Sequence, residues 1–222
     1  MTLKQTLAKL SSLGTEKMRE FNKKNGADDN QYGVKMGDLR VLAKEIKTNH
    51  ELAKQLWETG NIDAQLLALL ICQPKRFTVE ELDAMAPEIR IPQVADWFNA
   101  YIIKDHPGKE LLREKWMKAK DPMQLRAAWS LTAGKVARDA VDINLPALLQ
   151  KIEKEMPKAH PWVQWTMNST LAQIGIHHPA LRNQAIVLGE KMGIYRDYPV
   201  SKGCTSPFAP IWIEEMVRRA GV

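Results

Sequence analysis

A repeated helix start is the feature of this sequence that most restricts its fold. The stretch 115–134 is typical of the end of one helix, a tight turn at Asp121-Pro122 and the start of a second helix. The residues that follow Trp57 align with it without a gap. Four helix starts share a glutamine and lie about 30 to 40 residues apart, which is the period of helical-hairpin repeats: Gln65, Gln93, Gln124 and Gln164. The sequence therefore predicts an all-α fold, an α-solenoid in which each hairpin packs against its neighbours.

The composition restricts the compartment and the class of partner. No apolar run approaches the roughly 18–20 residues that a membrane span requires, and the N-terminus lacks the apolar core of a secretion signal. Cys72 and Cys204 have no metal-ligand spacing around them, so we expect two free thiols in a reducing compartment, the cytoplasm. The formal net charge of +6 is compatible with an acidic partner but does not by itself predict one.

Helix boundaries can be predicted along the chain from caps, prolines and apolar periodicity. We expect two short helices within residues 2–25, with Thr15 capping the second, and a helix that begins at Met36. Further helices are expected at 50–59, 62–73, from Thr78, from Pro92 to about Asp105, and at 109–118, 121–138, 143–156, 161–176 and 179–192. An irregular loop at 194–210 and a closing helix at 211–220 complete a single domain, 1–222.

Three of the predicted helices carry polar residues that suit a phosphate backbone. On the helix from Met36, the basic stripe consists of Arg40, Lys44 and Lys47. The helix from Pro122 places Arg126 and Ser130 on one face, with Lys135 and Arg138 at its C-terminal end. The helix from Pro161 carries an uncharged polar strip of Thr166, Ser169, Thr170 and Gln173. Cations release counterions from DNA and hydroxyls fix register, although a solvated helix surface explains the same charges.

Few residues suggest catalysis. The sequence has no glycine-rich phosphate loop, HExxH, GxSxG or Cys-x-x-Cys motif, and we expect no metal and no cofactor. Asp96 beside Trp97 could stabilise a cationic base or sugar, or could serve only packing and ion pairing. Two interpretations of the 194–210 loop remain open. Either its polar and aromatic side chains reach a ligand, with Tyr195, Arg196, Tyr198 and Lys202 as candidates, or the loop only covers the end of the core.

Together these residues resemble the AlkD-type DNA alkylation repair proteins, which belong to the HEAT-like repeat DNA glycosylases. The likeness runs from Tyr32-Gly33-Val34-Lys35 through the Asp96 helix and Leu125-Arg126-Ala127-Ala128 to Pro179. The resemblance implies a right-handed solenoid of HEAT-like hairpins that binds double-stranded DNA on its concave surface as a monomer. Active members of the family excise positively charged alkylated purines without depending on base flipping, the usual route of enzymes that act on a base.

The expected catalytic pair of the family is altered in this sequence. In the family, the central helix carries a Trp-Asp-x-x-Asp pattern, and the matching residues here are Ala95, Asp96, Trp97, Phe98 and Asn99. The first aspartate is therefore kept as Asp96, whereas Ala95 replaces the tryptophan and Asn99 replaces the second, catalytic aspartate. A second family tryptophan matches Ser169, and an arginine one turn later matches Ala172. An asparagine cannot supply the charge that stabilises an oxocarbenium-like sugar. Excision is therefore doubtful, whereas Arg126 keeps a backbone-binding feature of the family.

Three functions remain open from the sequence. The first is a DNA-binding member of the family that recognises damaged, alkylated or distorted duplex without excising simple methylpurines. The second is an active glycosylase for N3- and N7-alkylpurines with a rearranged site, in which Asp96, Trp97, Asn99 or the C-terminal tyrosines act. The third is a solenoid that binds another protein.

Overall fold

All regular structure in the described part of the chain is helical. The computed structural model describes residues 1–221, and Val222, the last residue of the predicted domain, lies outside them. Within residues 1–221 none of the helices has the length and apolar character needed to cross a membrane. The α-helices are α1 Leu3–Leu13, α2 Glu16–Lys24, α3 Met36–Ile46, α4 His50–Glu58, α5 Ile62–Ile71, α6 Val79–Met85, α7 Pro92–Tyr101, α8 Lys109–Trp116, α9 Pro122–Arg138, α10 Leu145–Glu155, α11 Pro161–His177, α12 Pro179–Met192 and α13 Ala209–Ala220. The all-α prediction is confirmed.

The helix starts follow from capping side chains. The Thr15 hydroxyl accepts from the backbone N–H of Met18, and Thr78 forms a complete capping box with Glu81. Asp121 accepts two backbone N–H groups at the start of α9, where Pro122 occupies the first helical position. The helix expected from Pro92 to about residue 105 is shorter, since α7 ends at Tyr101 and a 3₁₀ turn covers Ile103–Asp105.

The described helices group into two compact units, Met1–Leu112 and a second unit that begins at Arg113. The boundary falls inside α8. In the first unit, α5 is buried on nearly all sides and packs against α3, α4 and α7. Its fully buried apolar residues, such as Leu66 and Leu67, form the centre of that unit's core.

A buried carboxylate ties the segment before α3 to α5. Asp63 is 1% exposed and accepts backbone N–H groups from Tyr32 (2.6 Å), Gly33 (2.9 Å) and Val34 (2.9 Å). Gly33 has φ +77°, and a Cβ there would lie 2.7 Å from the Thr15 carbonyl oxygen. Only glycine fits this close approach without strain. The anchored segment fixes where α3, and with it the basic stripe, begins.

In the second unit, α9 and α11 are the most extensively packed pair. Trp129 and Val136 from α9 meet Met167 and Leu171 from α11 in a core that α10, α12 and α13 complete. The segment between α12 and α13 is irregular, as predicted, and closes over α11. Gly193, with φ +64°, ends α12 in the left-handed conformation common at helix C-termini.

Candidate nucleic-acid interface

The helix α7 buries one face and presents another to solvent. Val94, Ala95 and Phe98 are buried, and the remaining positions of the helix are half-buried or exposed. Asp96 is exposed, and the half-buried Trp97 ring packs edge-on against the exposed Tyr101 ring, with centroids 5.3 Å apart. We call Asp96, Trp97 and Tyr101 the α7 surface. Asp96 and Trp97 were candidates from the sequence, and the structure adds the Tyr101 ring to them.

The basic stripe meets the α7 surface through one cation–π contact. The Arg40 guanidinium carbon lies 5.2 Å from the centroid of the Trp97 ring. One turn away, the Gln93 amide contacts the Met36 sulfur at 3.3 Å. A guanidinium in contact with an aromatic ring keeps its charge and can still donate hydrogen bonds to an anion. The structure thus brings together two parts of the predicted site that are 57 residues apart in sequence.

The other two residues of the basic stripe, Lys44 and Lys47, are exposed. Within residues 1–221 no carboxylate lies at ion-pairing distance from either lysine or from Arg40. Some other exposed cations of the same unit are paired, as Arg76 is with Glu51 at 2.9 Å, whereas Lys35 and Lys75, for example, have no carboxylate at ion-pairing distance among the described residues. Cations without acidic partners carry the strongest attraction for a polyanion.

Lys47 has an unusual backbone. It caps the C-terminus of α3 with φ 62° and ψ −159°, a region occupied almost only by glycine. Such a conformation costs on the order of 1–3 kcal/mol for a residue with a Cβ. The side chain of Lys47 is exposed at the C-terminal end of the basic stripe.

The residues predicted from the sequence to replace the family's catalytic pair, Ala95 and Asn99, lie deeper than Asp96. Ala95 is 5% exposed, so its position belongs to the core of the unit. Asn99 is half-buried, and its side-chain oxygen is buried without a hydrogen-bond partner among the described residues. The Asn99 amide is neutral, so it supplies no charge to a substrate. Its buried side-chain oxygen is not accessible to a substrate.

Arg126 differs from the exposed phosphate contact that the sequence suggested. It is 3% exposed, and its guanidinium donates to the Trp162 carbonyl oxygen at 2.7 Å. It also lies close enough to Tyr195 to oppose the rise that burial causes in the pKa of that phenol. The hydrogen bond to Trp162 joins α9 to the start of α11. The proximity to Tyr195 also places Arg126 next to the loop that follows α12. Ser130, one turn along α9, is half-buried.

The two cations at the end of α9 are placed differently. Lys135 is half-buried, and its ammonium lies 3.8 Å from the Asp142 carboxylate. Arg138 is exposed, and its guanidinium folds back over Gly134, where an added Cβ would lie 2.9 Å from a guanidinium nitrogen. No carboxylate of residues 1–221 pairs with Arg138. Of the cations predicted on α9, Arg138 is therefore the most available to a phosphate.

The polar strip on α11 is partly buried. Thr166 (4% exposed) and Thr170 (0%) lie in the core, and the Thr170 hydroxyl donates to the carbonyl oxygens of Trp129 and Thr166. Ser169 is half-buried, and its hydroxyl donates to the Trp165 carbonyl oxygen. Gln173 is half-buried. The strip thus contributes less surface than predicted, because its threonine hydroxyls bond to backbone inside the unit.

The loop after α12 places aromatic rings on α11. The rings of Trp165, Tyr195 and Tyr198 contact one another with centroids 5.3 to 5.7 Å apart. Tyr195 has φ +66°, which is rare for a residue with a side chain. Trp165 was not among the predicted site residues, because a tryptophan in an apolar helix predicts core.

Comparisons with known proteins place the chain in a family. The profile of the family described as "DNA alkylation repair enzyme" matches residues 4–194. Uncharacterized protein Lin0241 of Listeria innocua is 25% identical over 227 residues, and uncharacterized protein Lmo0209 of Listeria monocytogenes is 24% identical. Each comparison covers 99% of both chains.

One solved structure resembles the fold closely. It comes from a family described as related to the HEAT-like repeat DNA glycosylases with affinity for branched DNA structures. The TM-score is 0.79 at 23% identity, over 99% of this chain and 95% of the other. At this identity the likeness shows the fold, which confirms the prediction of HEAT-like hairpins. With the profile matched over most of its length, the chain belongs to the DNA alkylation repair enzyme family.

Proposed function

We propose that the protein binds double-stranded DNA that is damaged, alkylated or distorted, and that it excises simple N-methylpurines slowly or not at all. The observation that carries the proposal is the meeting of the basic stripe with the α7 surface, where Arg40 lies over Trp97. The unpaired cations suit phosphates, and the adjacent rings suit bases or sugars exposed by a distortion.

Weak excision follows from the chemistry at the centre of α7. Departure of an alkylated base leaves positive charge on the sugar, which a positioned carboxylate stabilises. Asn99 stands where the family has that carboxylate, and its amide is neutral. Losing one positioned electrostatic group commonly costs about 10²–10³-fold in rate. Asp96 lies three residues before Asn99 on α7 and is exposed. An active glycosylase would therefore have to place the sugar of its substrate against Asp96 and not against position 99.

The kind of distortion is suggested by the structural neighbour, whose family is described as having affinity for branched DNA. A branch point exposes base faces and bends the backbone, so it would engage the rings of the α7 surface more than a regular duplex does. We therefore include branched DNA among the proposed ligands and expect a four-way junction to bind more tightly than a linear duplex of the same sequence.

The binding proposal is tested by two charge-matched variants. Arg40→Ala/Lys44→Ala removes two cations of the basic stripe, and Lys23→Ala/Arg76→Ala removes two cations that are paired with Asp29 and Glu51. Both double variants lower the formal net charge from +6 to +4, a difference of two. Duplex affinity is measured by fluorescence anisotropy between about 50 and 200 mM salt, because the log–log slope changes by about 0.9 for each phosphate contact.

We expect the variant of the basic stripe to bind duplex DNA more weakly. The slope of log affinity against log salt concentration should become shallower by about 1.8, since two phosphate contacts are removed. The control variant should stay close to the wild type. Equal weakening of both variants would indicate attraction by net charge alone. Absence of duplex binding at about 50 mM salt would leave the protein-binding solenoid as the surviving alternative.

Excision is tested separately with N-methylated DNA, by measuring release of 3-methyladenine and 7-methylguanine. We expect no release above the spontaneous rate. Release that disappears in Asp96→Asn would instead establish an active glycosylase with a rearranged site, and it would overturn this part of the proposal.

A further inference from the structure

The second unit contains an aromatic pocket that the basic stripe and the α7 surface do not include. Its volume is about 330 Å³, and its walls include Trp165 from α11, Tyr198 from the loop and Trp212 from α13. We call this the loop pocket. Pro199 and Val200 add apolar surface, and its remaining polar groups are mainly hydroxyls. None of the lining residues carries a formal charge.

The loop that forms the pocket is held at both ends. At its start, the Tyr195 ring packs edge-on against Trp165, and Arg196 pairs with Glu190 at 2.8 Å. At its end, the Asn168 amide donates to the Pro207 carbonyl oxygen at 2.8 Å. Fixing a loop in this way lowers the entropy that a ligand must overcome on binding.

The rim of the pocket is unusually apolar for a surface. Tyr198 is 45% exposed and Val200 47%, and both line the pocket. Clustered exposed apolar side chains around a concavity commonly mark a binding site. Lys202 is exposed in the same loop and follows the lining residue Ser201 in sequence.

These observations together restrict the ligand. The volume lies at the small end of the range for ligand sites, about 300–1,000 Å³, which suits one ring system better than a peptide or lipid chain. Aromatic walls without charge favour a flat, neutral ring by stacking. The family profile ends at residue 194, so every wall residue named above except Trp165 lies beyond the matched region.

We propose that the loop pocket binds a single unpaired nucleobase of a DNA strand whose backbone passes Lys202. The inference rests on the proposed DNA-binding function, and it adds a second contact that recognises DNA by an unstacked base. It also gives a physical reason for a preference for distorted or branched DNA, where such bases are available. Stacking is tolerant of base identity, because every base has an aromatic face.

The experiment uses three duplexes of one sequence: fully paired, with one extra unpaired adenine, and with an abasic site in place of that adenine. The ratio of the Kd for the abasic duplex to the Kd for the adenine duplex isolates the base. Stacking of one base on aromatic side chains predicts a ratio of about fivefold or more for the wild type. Tyr198→Leu keeps apolar volume but removes the exposed ring, and it should bring the ratio close to 1.

Phe21→Leu is the matched control, since Phe21 is an exposed aromatic residue (59%) on α2 in the other unit. It should keep the wild-type ratio. A wild-type ratio near 1 with normal binding of the paired duplex would overturn the loop pocket and leave the proposed function intact. A ratio unchanged in Tyr198→Leu would also overturn it. If the wild-type protein binds none of the three duplexes at about 50 mM salt, both the loop pocket and the proposed function are overturned.

Discussion

Replacing Asp63 with alanine should destabilise the first unit strongly. The carboxylate is 1% exposed and accepts three backbone N–H groups, from Tyr32, Gly33 and Val34, at 2.6 to 2.9 Å. Two of these donors belong to buried residues, and the third belongs to a half-buried one. Alanine would leave all three donors without their acceptor.

The magnitude follows from the burial of each donor. An unsatisfied buried N–H costs about 1–3 kcal/mol, and water can partly replace the acceptor at Tyr32. We therefore expect Asp63→Ala to lower the free energy of unfolding by about 3–5 kcal/mol, a large part of the 5–15 kcal/mol typical of a domain. Asp63→Asn should cost less, about 1–3 kcal/mol, because its one amide oxygen can still accept up to two of the bonds.

The assay is urea unfolding followed by circular dichroism, with duplex affinity measured under native conditions. Asp121→Ala is a useful control, because that carboxylate also accepts backbone N–H groups but as a half-buried helix cap, with an expected cost of about 1 kcal/mol. Since α3 begins two residues after the anchored segment, Asp63→Ala should also weaken DNA binding. Equal losses for the two alanine variants would refute the reasoning.

Three further predictions concern stability. Burial lowers the pKa of His50, so the unfolded state binds its proton first and wild-type stability should fall as pH drops below about 6.5; the urea midpoints of His50→Gln should change less between pH 7 and 5. Gly189→Ala should destabilise by about 1–3 kcal/mol in thermal unfolding, because its Cβ would lie 2.7 Å from the Pro210 ring, whereas Gly37→Ala in open space should stabilise by up to about 1 kcal/mol. Lys47→Gly should raise the unfolding midpoint by relieving backbone strain while lowering DNA affinity, and a fall in both would contradict a strained functional lysine.

Most helices could be predicted because their signals are local. A capping threonine or aspartate, a proline at the first turn and an apolar period act within a few residues, as at Thr15, Thr78 and Pro179. The end of α7 was less predictable. The apolar pattern continues through Ile102 and Ile103, but the α-helix ends before Ile102 and Ile103 begins a tighter 3₁₀ turn.

Burial of the polar site residues could not be predicted from one helix at a time. Thr166 and Thr170 were expected on a surface, yet threonine can bond to the carbonyl one turn earlier and then tolerates the core between α9 and α11. Arg126 can likewise be buried because its guanidinium donates a hydrogen bond to a carbonyl oxygen 36 residues away in sequence. Such long-range partners leave no periodic signal in the sequence.

The contact between Arg40 and Trp97 was also beyond local reasoning, although both residues were singled out. Their helices are joined through α5, which packs against both, so the pairing depends on the arrangement of three helices. Tyr198 of the loop pocket was a candidate to reach a ligand, but the pocket itself was missed for a different reason. Irregular segments carry no period, and the role of Trp165 depends on where residues 195–207 fold.

The most direct test of DNA contact at the basic stripe and α7 surface is an NMR titration of the tryptophan side chains. The indole N–H signal of Trp97, assigned with Trp97→Phe, should shift and saturate as duplex DNA is added. Trp57 provides an internal control, because it is 4% exposed and its indole N–H donates to Glu88 at 2.6 Å. A Trp97 signal that stays unchanged at saturating DNA would contradict the account.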